Sequence, residues 1–393
     1  MKTRHSLGPL AYPPPIDASP PRTWLALATA LALMTLGCGD DGPGPAFDAA
    51  VADASVVDAP DPDATPLDAT PPDAAPTATA GLDVLFVVDN SGSMAEEQLT
   101  LRASFSQFVN SLETAYGSRP DLHVGVISTD MGAGPFQGTG CSMFGDNGNL
   151  RANPVCGVAD PYIIDIAEPG GGRTQNFSGT LTDAMSCIGD LGISGCGFEQ
   201  PLAAVRRALD GTNPNNAGFL RQDTMLAVVI MSDEDDCSVT DTAMYDTSQN
   251  DINAPLGPLS SFRCFEFGVR CDPDQPRVPG PRSNCVVREN SAYMPTVQGF
   301  IDFLTGLRPP GDVFVATLQG DPTPVGVTLD PNINNIPALA PSCTSANGQA
   351  VPGVRLDVFR AGFPQRNLQA SICQANLENV LIDLGTTLGN LLP

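Results

Sequence analysis

The sequence predicts an α/β fold: a doubly wound, mostly parallel sheet with disulfide-stapled loop insertions. Three observations lead there. Residues 82–88 form an apolar, partly β-branched run that reads as a strand covered on both faces. Further apolar runs alternate with helical patterns, and such alternation implies a parallel sheet with helices on either side. Between them lie long Gly-, Pro- and Asn-rich stretches that carry the cysteines.

The elements follow in order. After the 82–88 strand, residues 95–115 place Leu99, Phe105, Phe108, Val109 and Leu112 at roughly helical spacing. Residues 122–129 read as a second strand and 162–166 as a short third one. A helix over 201–209 is preceded by Gly195-Cys196-Gly197-Phe198-Glu199-Gln200. Residues 225–231 form an apolar strand ending in Ser232-Asp233-Glu234-Asp235-Asp236. A helix over 297–307, a strand over 313–318 and a closing helix over 377–392 complete the pattern.

The first strand runs directly into Asp89, Ser91 and Ser93, one carboxylate and two hydroxyls at alternate positions. Open α/β sheets place their ligands at the carboxyl ends of such strands. Three oxygen donors suit a hard divalent cation, Mg²⁺ or Ca²⁺. Neutral hydroxyls leave the ion most of its charge, and so an appetite for an anionic partner.

Asp-x-Ser-x-Ser after an apolar strand resembles the metal-ion-dependent adhesion site of von Willebrand factor A (vWA) domains, which are Rossmann-like doubly wound sheets. The resemblance spans roughly residues 81–393, with large insertions. It implies a further ligand from a second loop, normally Thr, and an Asp from a third. Asp233 stands at the end of the 225–231 strand, where that Asp belongs. The second position departs from the pattern, because counting back from the 201–209 helix places Glu199 there. Three carboxylates (Asp89, Glu199, Asp233) would make the site net negative and weaken its pull on an acidic partner. They would also tilt it toward Ca²⁺. The alternative for Glu199 is an acidic residue at a helix start, favoured by the macrodipole. Glu234, Asp235 and Asp236 read as solvated surface, with a second cation as the alternative.

The N-terminal region sets the compartment. Arg22 precedes an apolar run over 24–36, too short for a bilayer and right for a signal peptide. It ends Leu36-Gly37-Cys38, which resembles a bacterial lipobox, although Thr35 stands where Leu is usual. The expectation is a signal peptide over 1–37, a lipidated Cys38 and an Ala/Asp/Pro tether to residue 80. Asp48, Asp53, Asp58, Asp61, Asp63, Asp68 and Asp73 punctuate that tether, whose composition cannot build a core. Extended, it would reach on the order of 130 Å. Residues 81–393 are then one elaborated vWA domain in a cell-envelope lipoprotein, at the outer membrane or cell surface.

Removing Cys38 from the eleven cysteines leaves an even number in three even groups. These are Cys141, Cys156, Cys187 and Cys196; Cys237, Cys264, Cys271 and Cys285; and Cys343 with Cys373. Pairing within groups is the expectation, with zinc over Cys264–Cys285 the rival. A net charge of −25 and a pI of about 4.1 argue against nucleic acid, whose phosphates need a basic surface. Only His5 and His123 occur, the latter inside a strand, so no Ser-His-Asp arrangement is recognisable. Gly170-Gly171-Gly172 lacks the lysine of a phosphate loop and reads as a turn.

The sequence therefore points to a non-enzymatic, cation-dependent module that binds a protein or surface ligand. A structural envelope protein whose metal only ties loops together is the second reading, and a hydrolase housed in the insertions the third.

Overall fold

The computed structural model describes residues 81–136, 140–151, 154–332, 334–346 and 348–393. The signal peptide, Cys38 and the tether lie outside these residues. In chain order the elements are β1 (Gly81–Val88), α1 (Ala95–Tyr116), β2 (Asp121–Ser128), β3 (Ile163–Ala167), β4 (Arg173–Gln175), α2 (Leu181–Ile188), α3 (Pro201–Leu209) and β5 (Met225–Met231). There follow α4 (Phe262–Gly268), β6 (Val269–Asp272), β7 (Gly280–Val287), α5 (Val297–Leu307), β8 (Val313–Gln319), β9 (Val325–Asp330) and β10 (Ile336–Leu339). Last come β11 (Cys343–Thr344), β12 (Gln349–Ala350), α6 (Val354–Ala361), β13 (Asn367–Ser371) and α7 (Glu378–Leu391).

The main sheet has the order β13-β8-β5-β1-β2-β3-β4. Strands β13, β8, β5, β1 and β2 run parallel, while β3 and β4 add antiparallel at one edge. This is the expected doubly wound α/β sheet with flanking helices. Its period of two explains the two-sided core. Leu82, Val84, Phe86 and Val88 of β1 face a cluster built with α1, α2 and α7. Leu85 and Val87 face the opposite cluster, with α3, α5 and α6. Phe86 meets Phe105 and Phe108 edge-on, at 5.2 and 5.9 Å between ring centres.

Helix α1 buries Leu101, Phe105, Phe108, Val109 and Leu112 on one stripe. Leu99 is a correction: it lies off that stripe and is 61% exposed. The helix stops at Gly117, whose left-handed backbone (φ 89°) lets its N–H close on the Glu113 carbonyl. Helix α7 lies close against α1 through Gly385 and Gly389, where any Cβ would strike the α1 backbone.

The insertions have structure of their own. Strands β6 and β7, from the segment after β5, join β9 and β10, from the segment after β8, in a four-stranded sheet ordered β10-β9-β7-β6. Among the described residues, β11 and β12 pair only with each other. The bridges are Cys141–Cys196, Cys156–Cys187, Cys237–Cys264, Cys271–Cys285 and Cys343–Cys373, each within its expected group. The Cys264 and Cys285 thiols are thereby consumed, which removes the zinc alternative. His123 is buried in the sheet, its Nδ1 2.8 Å from the Phe219 carbonyl, and burial lowers its pKa.

Candidate metal centre

Adjacent parallel strands β1 and β5 deliver the site. The Asp89 N–H continues their ladder onto the Met231 carbonyl at 2.9 Å, so the following loops leave side by side. Asp89 is buried and held from two directions. Its Oδ1 accepts the Ser91 N–H at 2.8 Å, and its Oδ2 accepts the Ser232 hydroxyl at 2.6 Å. The Gln98 amide donates to the carbonyls of Asp89 (2.8 Å) and Gly192 (2.9 Å), fixing the first turn of α1 against the loop after β1 and the segment between α2 and α3.

Ser91 and Ser93 lie together, their hydroxyls 3.1 Å apart. Ser93 also lies near enough to the Asp233 carboxyl to lower its pKa. Glu199 is fully buried just before α3, fixed by its carbonyl, which accepts the Cys237 N–H at 2.7 Å. The structure sets Asp89, Ser91, Ser93 and Asp233 on adjacent loops, with Glu199 buried near enough to Asp89 for their charges to interact. Glu199 does not cap the helix: the free N–H groups of Leu202 and Ala203 are taken by Asp236 (3.2 Å) and Ser238 (2.8 Å). Both Glu199 carboxyl oxygens and Asp233 Oδ1 are buried without a well-formed hydrogen-bond partner.

The electrostatics follow from burial and the crowding of carboxyls. Burial, then Asp233, raises Asp89 to about 7, against the hydrogen bonds from Ser232 and Ser91. Burial, then Glu234, raises Asp233 to about 7. Glu199 goes well above the carboxylate range, through burial first and then Glu234 and Asp89. Glu234 reaches about 7 through burial, opposed by a hydrogen bond with Glu199. The largest effects on these four carboxyls are burial, their neighbouring carboxyls and local hydrogen bonds.

Reading the 234–236 run as solvated surface is corrected. Asp235 and Asp236 are buried. Asp235 accepts the N–H groups of Arg355 and Leu356 at the start of α6. Asp236 pairs with the buried Arg355 guanidinium at 3.1 Å. Glu234 is half-buried, and its carboxyl interacts with those of Glu199 and Asp89. Sequence reasoning also passed over Ser232, Gln98 and the buried Glu97, whose only sequence signal is an acidic first helical turn.

Among the described residues, no three Asp, Glu, His or Cys side chains converge as a ready-made metal cluster. The donor set is mixed, hydroxyls with carboxyls. A groove of about 400 Å³ opens beside it, lined by Ser93, Glu96 and Asp233 on one side and Thr344, Gly348 and Gln349 of the β11–β12 hairpin on the other. The Val351 N–H anchors that hairpin on the Asp233 carbonyl at 2.9 Å.

The chain is similar to several solved structures. The von Willebrand factor domain of the type V pili tip protein Mfa5 from Porphyromonas gingivalis aligns with 13% identity and a TM-score of 0.36, over 81% of this chain and 98% of that one. Proximal thread matrix protein 1 from the mussel byssus gives 10% identity and 0.34, over 80% of this chain and 50% of that one. The pilus adhesin SpaC from Lactobacillus rhamnosus GG gives 12% and 0.33, over 80% and 31%. The chain thus spans half the length of the mussel protein and under a third of SpaC. No family model and no curated protein matches it.

The residues present fit a divalent cation. Hard oxygen donors and buried carboxyls are the chemistry that such an ion would take.

Proposed function

We propose that this chain is a cell-envelope binding module, without catalytic activity, that holds Ca²⁺ or Mg²⁺ and through it an oxygen of a protein or surface ligand. Ser91, Ser93 and Asp233 would ligate at the groove, with Asp89 and Glu199 behind them. The observation that carries this reading is the crowding of the buried carboxyls Asp89, Glu199 and Asp233, with Asp233 Oδ1 lacking a hydrogen-bond partner. Buried carboxylates cost several kcal/mol unless a positive charge compensates them. The bound ion would supply that charge and a Lewis-acidic contact for the ligand oxygen.

Five disulfides support an oxidising, exported setting. Lipidation at Cys38 and the acidic tether complete the reading, by holding the domain away from a membrane.

A second reading has its own support. Asp89 and Glu199 are fully buried, as expected if the ion only ties three loops together. Calorimetric titration of Ca²⁺ and Mg²⁺ into the full chain tests the shared premise, with Asp89→Ala as control. Binding lost in the variant supports both readings, and no binding in the parent removes both. Cation-dependent attachment to whole cells or matrix then separates them: an adhesive site loses it on chelation, whereas a loop-tying ion changes only the melting temperature.

A further inference from the structure

A separate cavity of about 270 Å³ lies behind the metal loops, between α4, β10 and the Glu234–Asp235 segment. Its walls are built entirely by the insertions and the acidic run. Phe262 and Phe265 form one side, their rings 5.7 Å apart, and Ile336 to Leu339 of β10 form another. Among the described residues three carboxylates line it, Glu234, Asp235 and Asp330, and no Arg, Lys or His does. The Ser260 hydroxyl on its wall is buried without a partner.

We propose that this cavity takes the side chain of a lysine, presented by a protein partner. The size admits one long side chain and falls below the ~300 Å³ at which whole small-molecule sites begin. The charge excludes anions. Apolar walls suit a methylene stem, and phenylalanine rings beside carboxylates suit its cationic end. Lysine fits better than arginine, because a compact ammonium needs only point partners such as Ser260 and one carboxylate, whereas guanidinium wants a flat, bidentate one.

The rest of the chain agrees. Its arginines are largely consumed internally, in pairs such as Arg221–Asp83, Arg173–Asp165 and Arg277–Glu266. The net charge of −25 leaves an acidic surface that draws a basic partner. The only lysine in the sequence is Lys2. Residues 81–393 of a second copy therefore have no lysine to offer the cavity. The site goes beyond the metal-dependent reading and does not require a bound ion.

The test is saturation-transfer NMR on the full chain with n-pentylammonium, n-pentylguanidinium and n-pentanol, each in calcium and in chelator. Pentylammonium is expected to bind about ten-fold more tightly than pentanol and more tightly than the guanidinium. Ala338→Trp, which fills the cavity, should abolish binding. Asp330→Asn should weaken it several-fold, with calcium titration unchanged in both variants. Equal binding of pentanol, preference for the guanidinium, or a response surviving Ala338→Trp would each overturn the proposal. Ammonium binding without any calcium binding leaves this site standing while removing the metal reading. Calcium binding without ammonium binding does the reverse.

Discussion

Ser232 donates its hydroxyl to Asp89 at 2.6 Å, and so joins the loop after β5 to the loop after β1 beneath the candidate cation. The same oxygen accepts the Glu234 N–H at 3.1 Å. Ser232→Ala would release the Asp89 carboxyl and leave a buried donor unpaired. Residues that orient a ligand in this way typically carry about 10–100-fold in metal affinity. Calorimetry on the variant should therefore show calcium binding weakened by about that factor, while Asp89→Ala abolishes it.

The raised carboxyls set an unusual pH dependence. Asp89, Asp233 and Glu234 sit at about 7 in the metal-free fold, against ordinary values of 3.8, 3.8 and 4.5. Between about pH 4 and 7 the folded state then holds more protons than the unfolded one. Stability from these groups is full below the unfolded values and is lost as pH rises through 7. Urea unfolding in chelator should show the protein less stable at pH 8 than at pH 5.5, by on the order of a few kcal/mol. Saturating calcium should reverse the trend, since the ion competes with those protons. Unfolding curves that coincide at both pH values in chelator would refute this.

Helix α7 depends on two missing side chains. A Cβ on Gly385 would fall 2.1 Å from Ser111 Oγ and 2.5 Å from the Phe108 carbonyl of α1. Alanine gains up to about 1 kcal/mol in helix propensity, but overpacking against backbone costs about 1–3 kcal/mol or more. Gly385→Ala should thus lower the melting temperature. Gly306→Ala in α5, which meets nothing within 4 Å, should leave it equal or higher.

Arg355 and Asp236 form a fully buried pair. Asp236→Ala would strand the guanidinium and remove the cap on Leu202. A loss of about 3–5 kcal/mol is expected in chemical denaturation.

Much of the frame was legible because it is local. An apolar run of seven or eight residues is enough to identify β1, β5 and β8, and position after a strand is enough to single out Asp89 and Asp233. Glu199 followed from counting back from its helix. What stayed hidden depends on distant partners. The 234–236 run reads as solvated because nothing nearby neutralises it, yet Asp235 and Asp236 are met by Arg355, some 120 residues later. Ser232 has no signature beyond ending a strand. Helix α2 and the four-stranded insertion sheet lie in Gly-, Pro- and Asn-rich stretches, where short elements are stabilised by pairing and disulfides more than by periodicity.

The most direct test of the cation site is anomalous diffraction from crystals grown with Mn²⁺, which favours the same oxygen donors. One peak within about 2.5 Å of the Ser91 and Ser93 hydroxyls, beside Asp233, is the expected result. A fully occupied Mn²⁺ elsewhere, or no peak at those hydroxyls, would contradict it.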